Sequence, residues 1–297
     1  MEIVMTTESP KLAKTEIAAV KAQGFLHNRG GKTFSGRILT INGRLTAEQV
    51  IALAEAARKF GSGQVSFTTR LNIEIPGIAY EKIPAFKEDI AAHGLTTGGT
   101  GPKVRPVLSC KGGICQNGLF DTFDLAREIF DRFVVGFRDL TLPNKFKLGV
   151  GGCPNNCAKP DLNDAGITGQ MKPSLNEEAC KKCLSCQKSC PAEAVTLADD
   201  RPVIDEGKCI KCGHCVRACP AEAMTGRFSY KLHLGGRWGR LTRPGQMLSR
   251  DFATREDVLA ALEKAIRFFA DNGQKGERIS GVIGRLGFAN VEKTILA

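Results

Sequence analysis

Twelve cysteines in three groups of four constrain this chain more than any other feature. Eight fall in two identical runs. Cys180, Cys183, Cys186 and Cys190 precede Pro191, and Cys209, Cys212, Cys215 and Cys219 precede Pro220; each run reads C-x2-C-x2-C-x3-C-P. The other four form two pairs, Cys110 with Cys115 in "VLSCKGGICQNG" and Cys153 with Cys157 in "GVGGCPNNCAKP". In a small secreted chain such numbers would suggest disulfides, but this spacing is that of metal ligation.

The two runs have the spacing of bacterial ferredoxins, in which the fourth cysteine of each run ligates the other cluster. The expected sets are Cys180, Cys183, Cys186 with Cys219, and Cys209, Cys212, Cys215 with Cys190. Thiolates are soft donors that suit iron–sulfur clusters; a zinc knuckle is the competing reading. Two neighbouring clusters would relay single electrons. His214 lies between ligands and, with the cysteine set complete, reads as a surface or hydrogen-bonding residue. Composition changes sharply at both edges of residues 177–225 and then resumes. This predicts a small domain inserted into a larger one.

The flanking sequence reads as α+β. "LTAEQVIALAEAARKFG" is a helix, with Thr46 and Gln49 as a capping box and Gly61 at its end. "QVSFTTRLNIEI" reads as one strand: Val65, Phe67, Leu71, Ile73 and Ile75 share a face, and Arg70 lies on the polar face. Further helices are expected over about 81–93, 122–135 and 254–273, and further strands at "KFKLGVG" and "GRFSYKLHLGG". In "KFKLGV", Lys145 and Lys147 alternate with Phe146 and Leu148, so both lysines share one side of the strand.

The remaining cysteine pairs, separated by a helix and a strand, can converge on one site. Gly112, Gly113, Gly149, Gly151 and Gly152 permit tight turns and close approach to a bulky inorganic group. A third [4Fe–4S] cluster is the simplest reading, with zinc or scattered buried thiols as alternatives.

The net charge of +11, from 42 basic and 31 acidic side chains, admits a solvated basic surface, a nucleic-acid partner or an internal anion site. No basic run interleaved with aromatics supports nucleic acid. No apolar run is long enough to span a membrane, the first residues lack a secretory pattern, and the expected location is the cytoplasm. The glycine clusters do not form a dinucleotide fingerprint, so electrons must come from another protein.

With these residues in view, the chain resembles the nitrite and sulfite reductases that couple siroheme to a [4Fe–4S] cluster. The family pattern is C-x5-C, a spacer and C-x3-C; here the first pair is C-x4-C. "TTR" with Arg70, "VRPVLSC" with Arg105, and "LPNKFK" with Lys145 and Lys147 look like the family's anion-binding positions. The likeness is greatest to the catalytic subunits of anaerobic sulfite reductases and to those of dissimilatory sulfite reductases.

The resemblance implies an N-terminal ferredoxin-like half-domain (1–100), one reductase repeat (101–176 and 226–297) and the inserted two-cluster ferredoxin (177–225). It implies that Cys110, Cys115, Cys153 and Cys157 hold a cluster, with Cys157 shared with siroheme iron. It implies six-electron reduction of sulfite or nitrite, with Arg70, Arg105, Lys145 and Lys147 binding the anion and aiding proton delivery. Arg29, Lys32, Arg37, Arg237 and Arg240 are candidates for the siroheme carboxylates, and each also reads as an ordinary loop or surface residue. Trp238 is either core packing or a cofactor contact, and His27, His93 and His233 read as structural. One repeat where larger relatives carry two implies a homo-oligomer or a related partner protein. The electron donor would be a ferredoxin or an NADH-linked subunit. The rival from another class is a three-cluster relay subunit without haem.

Overall fold

The computed structural model describes residues 12–31, 33–199 and 201–297. The chain opens with α1 (Lys14–Ala22), β1 (Phe25–His27), β2 (Thr33–Ile38), α2 (Ala47–Phe60), β3 (Ser66–Phe67), β4 (Ile73–Ala79) and α3 (Ile83–Ala91). The four strands form an antiparallel sheet in the order β1-β2-β4-β3. The Thr46/Gln49 capping box starts α2 with bonds of 3.2 and 3.1 Å. Leu53, Ala56 and Phe60 of α2 and Ile83, Phe86 and Ile90 of α3 pack with Phe34, Ile38 and Ile75 of the sheet in a first core. Along β2, Phe34 and Ile38 are buried and Arg37 points the other way, so this sheet shows its charged face to the rest of the molecule.

The strand expected over 64–75 is instead a hairpin. Ser66 pairs with Glu74 and Phe67 with Ile73, and the chain reverses through Thr68–Asn72, with Leu71 at a φ of 59°. The Leu71 amide donates to Thr68 O at 3.0 Å and the Thr68 amide to Asn72 O at 2.8 Å. The period-2 pattern runs through the turn without a glycine or proline to mark it, which is why a straight strand was expected. Phe67, placed on the apolar face by that reading, is 79% exposed. Arg70 stands in the turn rather than on a strand face.

The second part contains β5 (Leu108–Ser109), α4 (Thr122–Ile129), β6 (Leu148–Gly151), β7 (Ala165–Leu175), then α5 (Ser185–Lys188), β8 (Val195–Ala198), β9 (Arg201–Ile204), α6 (His214–Arg217), and finally β10 (Met224–Leu234), β11 (Gln246–Met247), α7 (Arg255–Asn272), α8 (Ile279–Leu286) and α9 (Phe288–Leu296). α4 runs on as a π-helical turn, Phe130–Val135. The sheet order is β11-β10-β7-β6-β5, with β5, β6 and β7 parallel and β7, β10 and β11 antiparallel. Phe146, Leu148, Val150, Ile167 and Leu232 meet Leu125 and Ile129 of α4 and Leu262, Ile266 and Phe269 of α7 in a second core. Thr254 caps α7 by accepting from the Asp257 amide at 3.1 Å.

β7 and β10 pair without a break from Ala165–Leu234 to Leu175–Met224. The cysteine-rich segment leaves and rejoins the sheet at the far end of this pair. Its two halves repeat in backbone as in sequence: the left-handed residues Lys182, Leu184 and Glu193 (φ 53, 64 and 50°) match Lys211, Gly213 and Glu222 (φ 56, 72 and 52°).

Candidate functional site

β5 and β6 are parallel neighbours, with Leu108 opposite Gly149 and Ser109 opposite Val150. Their C-terminal ends therefore emerge side by side, and the loops carrying Cys110/Cys115 and Cys153/Cys157 start there. Ligand sites in parallel sheets form at this end. The Cys110 amide donates to Val150 O at 3.1 Å, and Thr122 at the start of α4 ties down the first loop: its hydroxyl donates to Cys110 O (2.7 Å) and accepts from the Gly112 amide (2.9 Å).

All four cysteines line one cavity of about 330 Å³. The Cys153 thiol is pushed up by burial and, further, by Cys110, Cys157 and Cys115 around it. The glycines act here by close approach rather than by turning, for Gly112, Gly113, Gly149, Gly151 and Gly152 all lie outside the left-handed region. A Cβ on Gly152 would stand 3.0 Å from Gly112 Cα and 3.5 Å from Cys110 Sγ.

Arg37, Arg70, Arg105, Lys145, Lys147 and Lys21 line a second cavity of about 380 Å³ with no acidic side chain among its described lining residues. The turn of the β3–β4 hairpin divides the two cavities: Leu71 lines the thiol side, and Thr68, Thr69, Arg70 and Asn72 line the cationic side. Arg70 pins this turn to the second sheet. Its Nη1 donates to Asn163 Oδ1 (2.8 Å), and its Nη2 donates to Pro106 O (2.6 Å) and Leu148 O (2.7 Å). Arg105 donates to the carbonyls of Gly99 and Gly101. The Nε atoms of both arginines are buried with no partner among the described residues. Burial lowers both arginines to about 10, and neighbouring cations, Arg278 and Arg37 among them, add to the effect. Burial likewise lowers Lys147 to about 8, with Arg70, Arg278 and Lys145 contributing. Lys145 is lowered for the same reasons. Partly buried positive charge that Asp164 offsets only in part is costly alone and favourable beside an anion.

Sequence reasoning missed the frame behind these cations. Asp164, with 0% exposure, accepts Arg278 Nε at Oδ1 (2.9 Å) and Arg278 Nη2 at Oδ2 (2.5 Å). Its Oδ2 also accepts the Lys147 amide at 2.7 Å. The partners lie 114 residues apart, so no local pattern could show the pair.

Of the candidates for carboxylate binding, Arg37 lines the cationic cavity and is bound to Glu74 Oε1 through Nε (2.8 Å) and Nη2 (2.6 Å). Arg237 lies near enough to Lys145 to lower it. Arg29 and Arg240 are exposed and line neither cavity; Lys32 lies outside the described residues. Trp238 is 55% exposed with Lys159 Nζ 4.8 Å from its ring centre, so it is not core. His27 Nε2 donates to Gly31 O at 3.0 Å, and His233 bonds Thr168 Oγ1 at 3.3 Å.

In the cysteine-rich segment, Cys186 stands among Cys180 and Cys219, and Cys215 among Cys212, Cys209 and Cys190. Burial raises both thiols, Cys215 to about 11.

The model of the nitrite and sulphite reductase 4Fe-4S domain matches residues 100–296, and that of the nitrite/sulfite reductase ferredoxin-like half domain matches residues 27–93. The chain belongs to the nitrite and sulfite reductase family. A coenzyme F420-dependent sulfite reductase of Methanocaldococcus jannaschii is 34% identical over 81% of this chain and 38% of its own length. An anaerobic sulfite reductase subunit of Salmonella typhimurium is 30% identical over 61% of this chain and 57% of its own. Dissimilatory sulfite reductase I shares the fold, with a TM-score of 0.73 at 20% identity over 89% of this chain and 69% of that one. The chain thus spans about two fifths and under three fifths of these two curated relatives. Among the described residues, no helix is long and apolar enough to cross a membrane.

Proposed function

We propose that this chain is the siroheme-binding subunit of a sulfite reductase, reducing sulfite to sulfide and also accepting nitrite, which would yield ammonia. The observation that carries this reading is the acid-free cationic cavity, separated from four converging cysteines only by the turn at Thr68–Asn72. The residues present fit the implied groups. The orphaned Nε atoms of Arg70 and Arg105 call for an anion, and four thiols above a glycine cradle suit a [4Fe–4S] cluster. Cys110, Cys115, Cys153 and Cys157 would hold that cluster, Cys157 would be shared with siroheme, and Arg37 and Arg237 are the best placed of the carboxylate candidates. When bound, siroheme and its coupled cluster supply the electrons and the centre at which the anion is reduced.

The protein's own part is charge and protons. Six-electron reduction of sulfite releases three oxygens as water and so consumes six protons. Arg70 and Arg105 keep their charge at neutral pH even when lowered to about 10, so they bind and orient oxyanion oxygens. Lys147, at about 8, is mostly protonated at neutral pH yet close enough to it to give up its proton. General acid help of this kind is worth roughly a hundred- to ten-thousand-fold. Cys180, Cys183, Cys186 with Cys219, and Cys209, Cys212, Cys215 with Cys190, would hold two further [4Fe–4S] clusters that pass electrons inward, in an inserted domain over 177–225. The reductant would be a ferredoxin or an NADH-linked subunit, and a second copy or a related protein would complete the assembly in the cytoplasm.

The test is anaerobic purification, a visible spectrum, and extraction into acidified acetone from a host that makes siroheme. An extractable isobacteriochlorin, with iron for three clusters and a haem, and turnover of sulfite or nitrite are expected. Iron–sulfur absorption alone would leave a relay protein instead.

A further inference from the structure

We propose that Asn155 sets the reduction potential of the cluster held by Cys110, Cys115, Cys153 and Cys157, by donating its side-chain N–H to the Cys157 sulfur. This rests on the reading of those four thiols as cluster ligands. Asn155 Nδ2 lies 3.1 Å from Cys157 Sγ, and Asn155 lines the thiol cavity.

The loop explains why Asn155 rather than its neighbour takes this part. Asn156 is committed elsewhere: it sits in the left-handed region (φ 58°) and its Nδ2 donates to Asp161 Oδ1 at 2.7 Å. That turn brings the Asn155 amide back over Cys157.

The other N–H donors to cysteine sulfur among the described residues are backbone amides: Gly152 to Cys110 (3.2 Å), Ala194 to Cys190 (3.3 Å) and Met224 to Cys219 (3.4 Å). Those come with the fold. The Asn155 bond is the side-chain one, so it can change without rebuilding the loop. It also falls on the exposed member of the four.

Hydrogen bonds to cluster sulfurs are among the factors that set cluster potentials. On reduction the cluster gains one electron, with no bond formed or broken and no proton moved. Negative charge on sulfur rises, and a bond to a more negative acceptor is stronger. The reduced form is therefore favoured and the potential is higher with the N–H present.

The experiment is an EPR-monitored potentiometric titration of the full chain, purified anaerobically, as wild type, N155L and N155D. In N155L the reduced-to-oxidised ratio of this cluster at fixed potential should fall by about tenfold, which for one electron is about 59 mV. N155D, with a carboxylate in place of the donor, should fall further. The other two clusters, inside the same molecules, should not move. Unchanged midpoints with iron for all three clusters in place would overturn the tuning role and leave the four-thiol reading standing. Loss of one cluster's iron from both variants would make Asn155 part of the holder, which also overturns it. If wild type itself carries iron for only the two ferredoxin-type clusters, the four-thiol reading fails and the inference falls with it.

Discussion

The segment between β7 and β10 draws its thiols from two short runs, and its backbone repeats with them, down to the left-handed residues at matching places. The Cys110–Cys157 site draws on two loops far apart in sequence, brought together because β5 and β6 are parallel neighbours. The first arrangement is local and self-contained. The second exists only when both cores, the β3–β4 turn and the Arg70 bonds are in place. A local set of thiols can thus be encoded in a short run, whereas a site setting four thiols beside a cationic cavity depends on the whole fold.

The sharpest way to break this contrast is to remove one thiol from each region. C153A should lose a third of the cluster iron and all turnover. C183A should lose turnover with a protein donor but keep it with a small reducing dye, which needs no relay. Equal losses with the dye would show the two regions to be one functional unit.

Packing gives the next effect. G152A would place a methyl 3.0 Å from Gly112 Cα and 3.2 Å from Thr122 Cγ2, and overpacking of this kind costs about 1–3 kcal/mol. G207A, whose Cβ would meet only Asp205 Oδ1 at 3.2 Å, should stay within about 0.5 kcal/mol. Thermal unfolding of the two proteins checks this.

Charge comes third. K147M should weaken nitrite binding by roughly tenfold, the value of one charge-assisted bond. The pH response has a definite sign. Lys147 is cationic below about 8 and neutral above it, so the Kd of wild type should rise as pH passes through 8, and K147M should lack that step. The smallest effect belongs to R29A and R240A. Both side chains are exposed and away from the cavities, so siroheme content should be unchanged, whereas R37A should reduce it.

What was legible in the sequence follows the same division. The Thr46 and Thr254 caps are local signals and stand where local rules put them. Lys145 and Lys147, expected on one face of a strand, lie just before β6 instead, yet both line the cationic cavity. The reversal at Thr68–Asn72 was hidden because alternation continues through it and Leu71, rather than glycine, takes the left-handed position. The Asp164–Arg278 pair was hidden because only the finished fold brings residues so distant together.

The unbroken pairing of β7 with β10 has a further consequence for how such a chain can be built and rebuilt. Leu175 and Met224 face each other across the ladder, so the excursion between them starts and ends at nearly one point. Closing a loop there costs little more for a long excursion than for a short one, since the entropy grows only with the logarithm of length. The cysteine-rich segment is thereby placed as a cassette on a fixed stem. On the proposed function, acquiring, swapping or deleting it would change the electron supplier while the sheet keeps its register.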